Sequence, residues 1–273
     1  MTSPLFAPRP TPMLPTNKGD YPIERIFCVG RNYAAHAAEM GHEVDREAPF
    51  YFMKDALSYA PSGAALPFPP GTQDLHHEVE LVVALGAPLF NASLDQAAAA
   101  VWGYGLGLDM TRRDLQAQAK DMRRSWDLGK NFEDSAILTP LTDAATFGAL
   151  GAQRITLAVN GETRQDADLS LMIWSVPEMI SHLSRYYHLT PGDLIYTGTP
   201  SGVGPVLPGD RLIGTVEVVA REAAPAIIAY AEQNGYDHIV MGTGDKRGLS
   251  RLVLGSVAAD VAGRAHCSVT VAR

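Results

Sequence analysis

LHHEVELVVALG, residues 75–86, is apolar and β-branched after its first few positions and predicts a strand. Side chains alternate across a strand, so Glu78 and Glu80, two residues apart, project from the same face. Two like charges side by side repel unless a cation or basic groups compensate them. The residues between and after them are apolar, which suits a purely solvated role poorly. Further on, VWGYGLGLDM (101–110) carries glycines at 103, 105 and 107, all on one side of a second strand, where a neighbour can pack closely. That strand ends in a third carboxylate, Asp109. Three carboxylates on adjacent strands suit a hard cation with open water positions, Mg2+ or Mn2+. Taken alone, a Glu-x-Glu pair is more often the exposed face of an edge strand.

Outward from this centre, IERIFCVG (23–30) reads as a buried strand, and AAHAAEMG (34–41) as a helix capped by Gly41. PFYFMK is another short apolar run, and Ser93 with Gln96 forms a capping box before an alanine-rich helix at 94–101. ITLAVNGETR (155–164) predicts a strand entering an Asn-Gly hairpin. Ser175, Pro177 and Glu178 start a helix reaching about Tyr187. PGDLIYTGTPSGVGPVLPGD (191–210) reads as strand, glycine-rich loop and turn. Residues 1–19, opening MTSPLFAPRPTPMLP, read as a loose arm and lack the charged-then-apolar order of a signal peptide. The texture changes near residue 216, from strand-rich to a helix at 223–234, a strand IVMGT, a helix at 248–264 and a strand SVTVAR. Such alternation predicts a βαβ-type parallel unit, and hence domains at 20–216 and 217–273.

The composition of the 273 residues, 46% hydrophobic and 19% charged, is that of a globular chain with one large domain, or one domain plus an appendage. A net charge of −8 argues against a nucleic-acid partner, though a local basic pocket can still hold a small carboxylate. Cys28 and Cys267 stand in no disulfide or zinc spacing, which fits a reducing cytoplasm. No apolar run reaches the roughly 18 residues of a membrane span.

GRNYAAHAAEM, HHEVELVVALG, GYGLGLDMTRRDLQ, GKNFE and YTGTPSGVG occur in this order and resemble the fumarylacetoacetate hydrolase family, above all its small acylpyruvate hydrolases. The resemblance spans about residues 20–215. It implies a mixed β-rich α+β fold, a β-roll that is usually a homodimer, with Glu78, Glu80 and Asp109 binding Mg2+ or Mn2+, and Ca2+ as a substitute. His36 and Glu39 match a water-activating pair on a short helix closing over the site, and their i, i+3 spacing allows contact. Glu39 would orient the imidazole and stabilise its charged form. Lys130 matches a lysine that stabilises an enolate. Arg31, Tyr33, Gln116, Gly198 and Thr199 match positions around the substrate, the last two in a loop whose N–H groups could hold a carboxylate. From the residues alone, His36 and Glu39 decorate an exposed helix, Lys130 is a surface lysine, and TGTPSGVG is a tight turn. One departure stands out in FYFMKDALSYAPSG: Asp55 follows Lys54 where the family has a Lys-Pro pair, in a segment that lines the pocket in relatives.

The implied reaction is hydrolysis of the carbon–carbon bond of a 3-acylpyruvate in aromatic-compound catabolism, with fumarylpyruvate giving fumarate and pyruvate. Decarboxylation of an oxaloacetate-type 2-oxo acid, or isomerisation, would use the same enolate, and the His36–Glu39 pair favours hydrolysis. The segment HIVMGTGDKRGLSRLVLGSVAADVAGRAHCSVTVAR resembles the C-terminal half of universal stress proteins. There Gly242, Gly255 and Ser256 match a loop that cradles ATP phosphates, with Asp245 in place of its middle glycine. The first half of that fold has no counterpart, and after GDRLIGTVE the expected closing strand gives way to VVAREAAPAIIAYAEQ. The segment therefore reads either as packing material or as an ATP-responsive module.

Overall fold

The computed structural model describes residues 4–7, 9–16, 18–39, 46, 48–217, 223–233, 235–242 and 256–272. The chain divides into two compact units, Met1–Val218 and Val219–Arg273. Among the described residues no helix is long and apolar enough to cross a membrane.

In the first unit, segment 75–86 forms two strands, Leu75–His77 and Val79–Leu85, with the break at Glu78. Val79–Leu85 is buried at every position because both faces of its sheet are covered. It lies inside an eight-stranded sheet ordered Phe50–Lys54, Arg25–Gly30, Asp193–Tyr196, Val79–Leu85, Val101–Asp109, Ala136–Leu138 and Tyr59–Pro61, with Thr142–Asp143 also on Val101–Asp109. Arg25–Gly30 and Asp193–Tyr196 run parallel, while Val79–Leu85 is antiparallel to both its neighbours. Period-two alternation sorts the strand between two cores. Val79, Leu81, Val83 and Leu85 meet Phe27, Ile155, Met179 and Ile180 on one face. Val82 and Ala84 meet Leu14, Cys28, Leu194 and Tyr196 on the other. Glu80 shares the parity of Val82 and Ala84.

The alternate glycines of Val101–Asp109 receive close neighbours. A Cβ on Gly105 would stand 3.1 Å from the ends of Leu138 and Leu141, and one on Gly107 only 2.5 Å from the Tyr196 ring. Both expected capping boxes form, at Ser93 with Gln96 and at Ser175 with Glu178. Asn160 and Gly161, both at positive φ, join Arg154–Val159 to Glu162–Asp168, and Leu212–Val216 completes that antiparallel sheet. The helix after Ser175 stops at Leu183, short of Tyr187, because the chain turns there and the Leu183 carbonyl accepts from the N–H groups of Tyr186 and Tyr187.

The loose arm expected over residues 1–19 needs correcting from residue 13 on. Met13–Thr16 pairs with Gly19–Pro22 as a hairpin, and Leu14 is fully buried in the core. The Tyr21 hydroxyl, 2.7 Å from the Leu85 carbonyl, ties this hairpin to the sheet. Pro12 and Pro15 mask the strand in sequence, yet proline is tolerated on a two-stranded edge.

In the second unit, helices Ala223–Gln233 and Ser256–Arg264 alternate with the parallel strands His238–Gly242 and Ser268–Ala272. Ala224, Ile228 and Val261 pack with Ile239, Met241 and Val269. Gly242 ends the first strand and Ser256 begins the crossover helix. Asp245 and Gly255, with the rest of 243–255, lie outside the described residues.

Replacing Gly107 by alanine should lower unfolding stability by about 1–3 kcal/mol, as overpacking does. Gly105→Ala, which meets only side-chain ends, should cost less; urea denaturation of both variants checks the order.

Candidate metal centre

The strand break at Glu78 and the register beside it bring three carboxylates together. Glu80 pairs with Gly107 and Val79 with Leu108, while the Asp109 N–H donates to the Glu78 carbonyl at 2.9 Å. The carboxylate oxygens of Glu78, Glu80 and Asp109 lie within 4.8 Å of one another, all three residues buried.

Basic groups converge from three other elements. Lys130 ends the short helix Asp127–Lys130, and its Nζ donates to Glu78 Oε2 at 2.7 Å and Asp109 Oδ2 at 2.6 Å. Lys54 ends Phe50–Lys54, and its buried Nζ lies 2.9 Å from Asp109 Oδ1. The same ammonium donates to Ser135 Oγ at 3.0 Å and to the carbonyls of Met110 and Lys130. Arg113 donates from Nη2 to Glu78 Oε1 at 2.5 Å and from Nη1 to Gln116 Oε1 at 2.7 Å.

These contacts divide the carboxylates. Burial acts to raise the Glu78 pKa, but Lys130 and Arg113 beside it prevail and hold it well below the usual carboxylate range. Burial, then Asp109 and Glu78, push Glu80 well above that range. Burial opposes the Lys130 charge, yet Asp109 and Glu78 outweigh it and raise its pKa. Glu80 accepts one hydrogen bond, from the Gly198 N–H at 2.7 Å, and among the described residues it makes no ion pair. Asp109 Oδ1, close to Lys54, has no aligned hydrogen-bond donor. A buried carboxylate without a cation, in an all-oxygen donor set, fits a hard divalent metal.

Arg31, His36, Arg113, Gln116, Lys120, Trp126, Lys130 and Thr199 line a cavity with the three carboxylates. His36 and Lys130 are buried, against the surface reading of the residues alone. His36 Nδ1 lies 3.2 Å from Glu39 Oε2, and the Glu39 carboxylate accepts from the Gly202 N–H at 3.1 and 3.2 Å. The helix Ala34–Glu39 is thereby clasped to the glycine-rich loop. Gly198, at φ 96°, faces Asn32 so closely that a Cβ would stand 2.7 Å from the asparagine's own, and its N–H is committed to Glu80. Thr199 Oγ1 donates to the Val79 carbonyl at 2.9 Å. Tyr33 is buried beside the cavity and is not among the residues lining it; its hydroxyl has no partner, and burial, then Glu80, raise its pKa.

Three residues of this centre have no role in the sequence reading. Arg113 sits within the TRRDLQ motif and Lys54 in the pocket-lining segment FYFMKDALSYAPSG, so both left a signal. Gln165 left none, being the buried residue of the polar strand Glu162–Asp168. Its Oε1 accepts from the Val79 N–H at 3.0 Å and lies 3.1 Å from His77 Nδ1. Its Nε2 donates to Thr199 Oγ1 and the Pro200 carbonyl, each at 2.8 Å. One amide thus joins the strand between Glu78 and Glu80 to the loop over the cavity.

Gln165→Ala strands the Val79 N–H and should cost about 1–3 kcal/mol of stability. It should also weaken Mn2+ binding by roughly 10- to 100-fold, the usual effect of removing a group that orients ligands. Denaturation and calorimetry read the two separately; lost stability with unchanged Mn2+ affinity would confine Gln165 to the fold.

The family model described as Fumarylacetoacetate (FAA) hydrolase C-terminal matches residues 25–231, and that of the Universal stress protein family matches 209–273. A fumarylpyruvate hydrolase of Ralstonia sp is 48% identical over 184 residues, which are 66% of this chain and 95% of the relative. The oxaloacetate tautomerase YcgM of Escherichia coli (strain K12) is 39% identical over 199 residues, 72% of this chain and 90% of its own. Among solved structures, the fumarylpyruvate hydrolase from Pseudomonas aeruginosa in complex with Mn2+ and pyruvate superposes with a TM-score of 0.75 at 46% identity, covering 78% of this chain and 94% of that one. The match at 25–231 takes in His36 with Glu39, all three carboxylates, Lys130 and the loop at 198–202, and the chain belongs to the fumarylacetoacetate hydrolase family.

Proposed function

We propose that the protein hydrolyses the carbon–carbon bond of a 3-acylpyruvate, fumarylpyruvate giving fumarate and pyruvate, with residues 20–216 as the catalytic domain. The observation that carries this reading is His36, lining the same cavity as the three carboxylates and paired with Glu39, which is itself clasped to Gly202. A hydrolase needs a water-activating base beside its charge-stabilising centre, and the two stand together here. The similarity to two fumarylpyruvate hydrolases supports the choice of substrate.

Glu78, Glu80 and Asp109 would hold Mg2+ or Mn2+, which supplies Lewis-acid stabilisation of negative charge on the 2-oxo acid when bound. Glu39 engages His36 Nδ1, which leaves Nε2 to take a proton from water. The water oxygen adds to the acyl carbonyl, the bond to the methylene carbon breaks, and its electron pair passes into the pyruvate enolate. Lys130, kept cationic by Glu78 and Asp109, faces that negative charge. The proton on Nε2 then goes to the enolate carbon, completing pyruvate.

A homodimer in the cytoplasm belongs to the same reading, supported by the family resemblance and by two free cysteines. For residues 217–273, ATP binding through Gly242, Gly255 and Ser256 rests on likeness to universal stress proteins. Saturable binding of labelled ATP supports it, and none at millimolar concentration disposes of it.

Loss of fumarylpyruvate absorbance should require added Mn2+ or Mg2+, stop with EDTA, and fail in Glu80→Ala. His36→Ala should lower kcat by roughly 10²- to 10⁴-fold. Mn2+ at one hundred times its Kd should add about 2.7 kcal/mol of stability to the native chain but not to Glu80→Ala. A folded, Mn2+-binding protein that tautomerises oxaloacetate and leaves fumarylpyruvate intact would replace hydrolysis by isomerisation.

A further inference from the structure

The cavity holds more positive charge than its carboxylates use. Lys130 and Arg113 are engaged by Glu78 and Asp109, whereas Lys120 and Arg31, which also line the cavity, make no ion pair among the described residues. Lys120, half-buried on the helix Arg113–Asp121, holds its ammonium 5.0 Å from the Trp126 ring centre. Burial, then the like charges of Arg113 and Arg31, lower its pKa. Arg31 occupies the left-handed region at φ 60°, unusual for arginine, with its guanidinium 5.9 Å from the Phe50 ring centre. Phe50 packs edge-on against Trp126 with ring centres 5.0 Å apart, so both cations stand over one aromatic wall.

Depth orders the cavity. The three carboxylates and Lys130 are buried, Lys120 is half-buried and Arg31 is exposed. A 2-oxo acid directed to the inner charges leaves its acyl end beside the outer two. A neutral acyl group would leave both cations uncompensated there. A carboxylate would form charge-assisted hydrogen bonds with them, in a half-buried setting that strengthens such bonds.

We infer that Lys120, together with Arg31, recognises a second carboxylate at the acyl end of the substrate, so that the cavity selects acylpyruvates whose acyl group is itself anionic. The inference rests on the acylpyruvate reading and adds the residues that choose among acyl groups.

The test compares kcat/KM for fumarylpyruvate and for acetylpyruvate on the full chain loaded with Mn2+. In Lys120→Gln the ratio favouring fumarylpyruvate should fall by roughly 10- to 100-fold, the value of a hydrogen bond to a charged group. Lys120→Arg should restore part of it, and Arg31→Gln should lower it in the same direction. A ratio within about threefold of the parent overturns the inference, and an equal loss on both substrates places Lys120 at the 2-oxo acid end instead. A second measurement needs no turnover: calorimetric binding of 2-oxoheptanedioate, whose second carboxylate stands at the same chain position as that of fumarylpyruvate, against 2-oxoheptanoate, which lacks it. Lys120→Gln should abolish the preference for the dianion, and an unchanged preference rejects the assignment. If the parent chain hydrolyses neither acylpyruvate, the hydrolase reading falls, while the binding pair still decides the role of Lys120.

Discussion

Three carboxylates buried within 4.8 Å of one another are the constraint around which the first unit is arranged. Charge of one sign cannot leave water at that density unless opposite charge is delivered to it. Lys54, Lys130 and Arg113 deliver it from three elements separate in the chain. Lys54 is held in turn by Ser135 and two backbone carbonyls, and Arg113 carries Gln116. Glu80 is the exception, with a backbone N–H and no counter-charge. The centre is therefore balanced at two carboxylates and left open at the third. Such an arrangement binds a cation without a fully preformed cage of its own charges.

The legible part of the fold was the part governed by periodicity. Residues 79–85 and 101–109 announce strands by a mostly apolar, β-branched run around Glu80 and by alternating glycines, and the glycines mark where a neighbour packs closely. Serine–glutamine and serine–glutamate spacing located two helix starts, since capping is a local matter. Helix ends were less legible: the one after Ser175 stops at Leu183, where the chain turns. The hairpin of Met13–Thr16 was hidden because its reason for folding, a place for Leu14 in a core with Leu138 and Leu194, belongs to residues far along the chain.

The centre divides the same way. Spacing put Glu78 and Glu80 on one face, although the strand breaks at Glu78, and the motifs added Asp109, His36, Glu39 and Lys130. Gln165 could not be found, because its burial is decided by the loop at 199–200 that folds over it, and its own neighbours are polar and exposed. Gly198 and Tyr33 show the limit of carrying roles by position. The first spends its N–H on a carboxylate of the centre, and the second sits beside the cavity without lining it.

The sheet order has a consequence for the chain as it is synthesised. Asp193–Tyr196 lies between Arg25–Gly30 and Val79–Leu85, so two early segments of the polypeptide do not touch directly but flank a late one. A ribosome that has released residues up to about 190 has produced all three carboxylates and the His36 helix, yet the two flanks of the sheet still lack the strand that joins them. The Gly202 N–H that clasps Glu39 emerges later still. Completion of the sheet and the clasp on Glu39 therefore wait for the chain beyond residue 190, and until then the nascent chain exposes two apolar strand edges that chaperones are suited to cover.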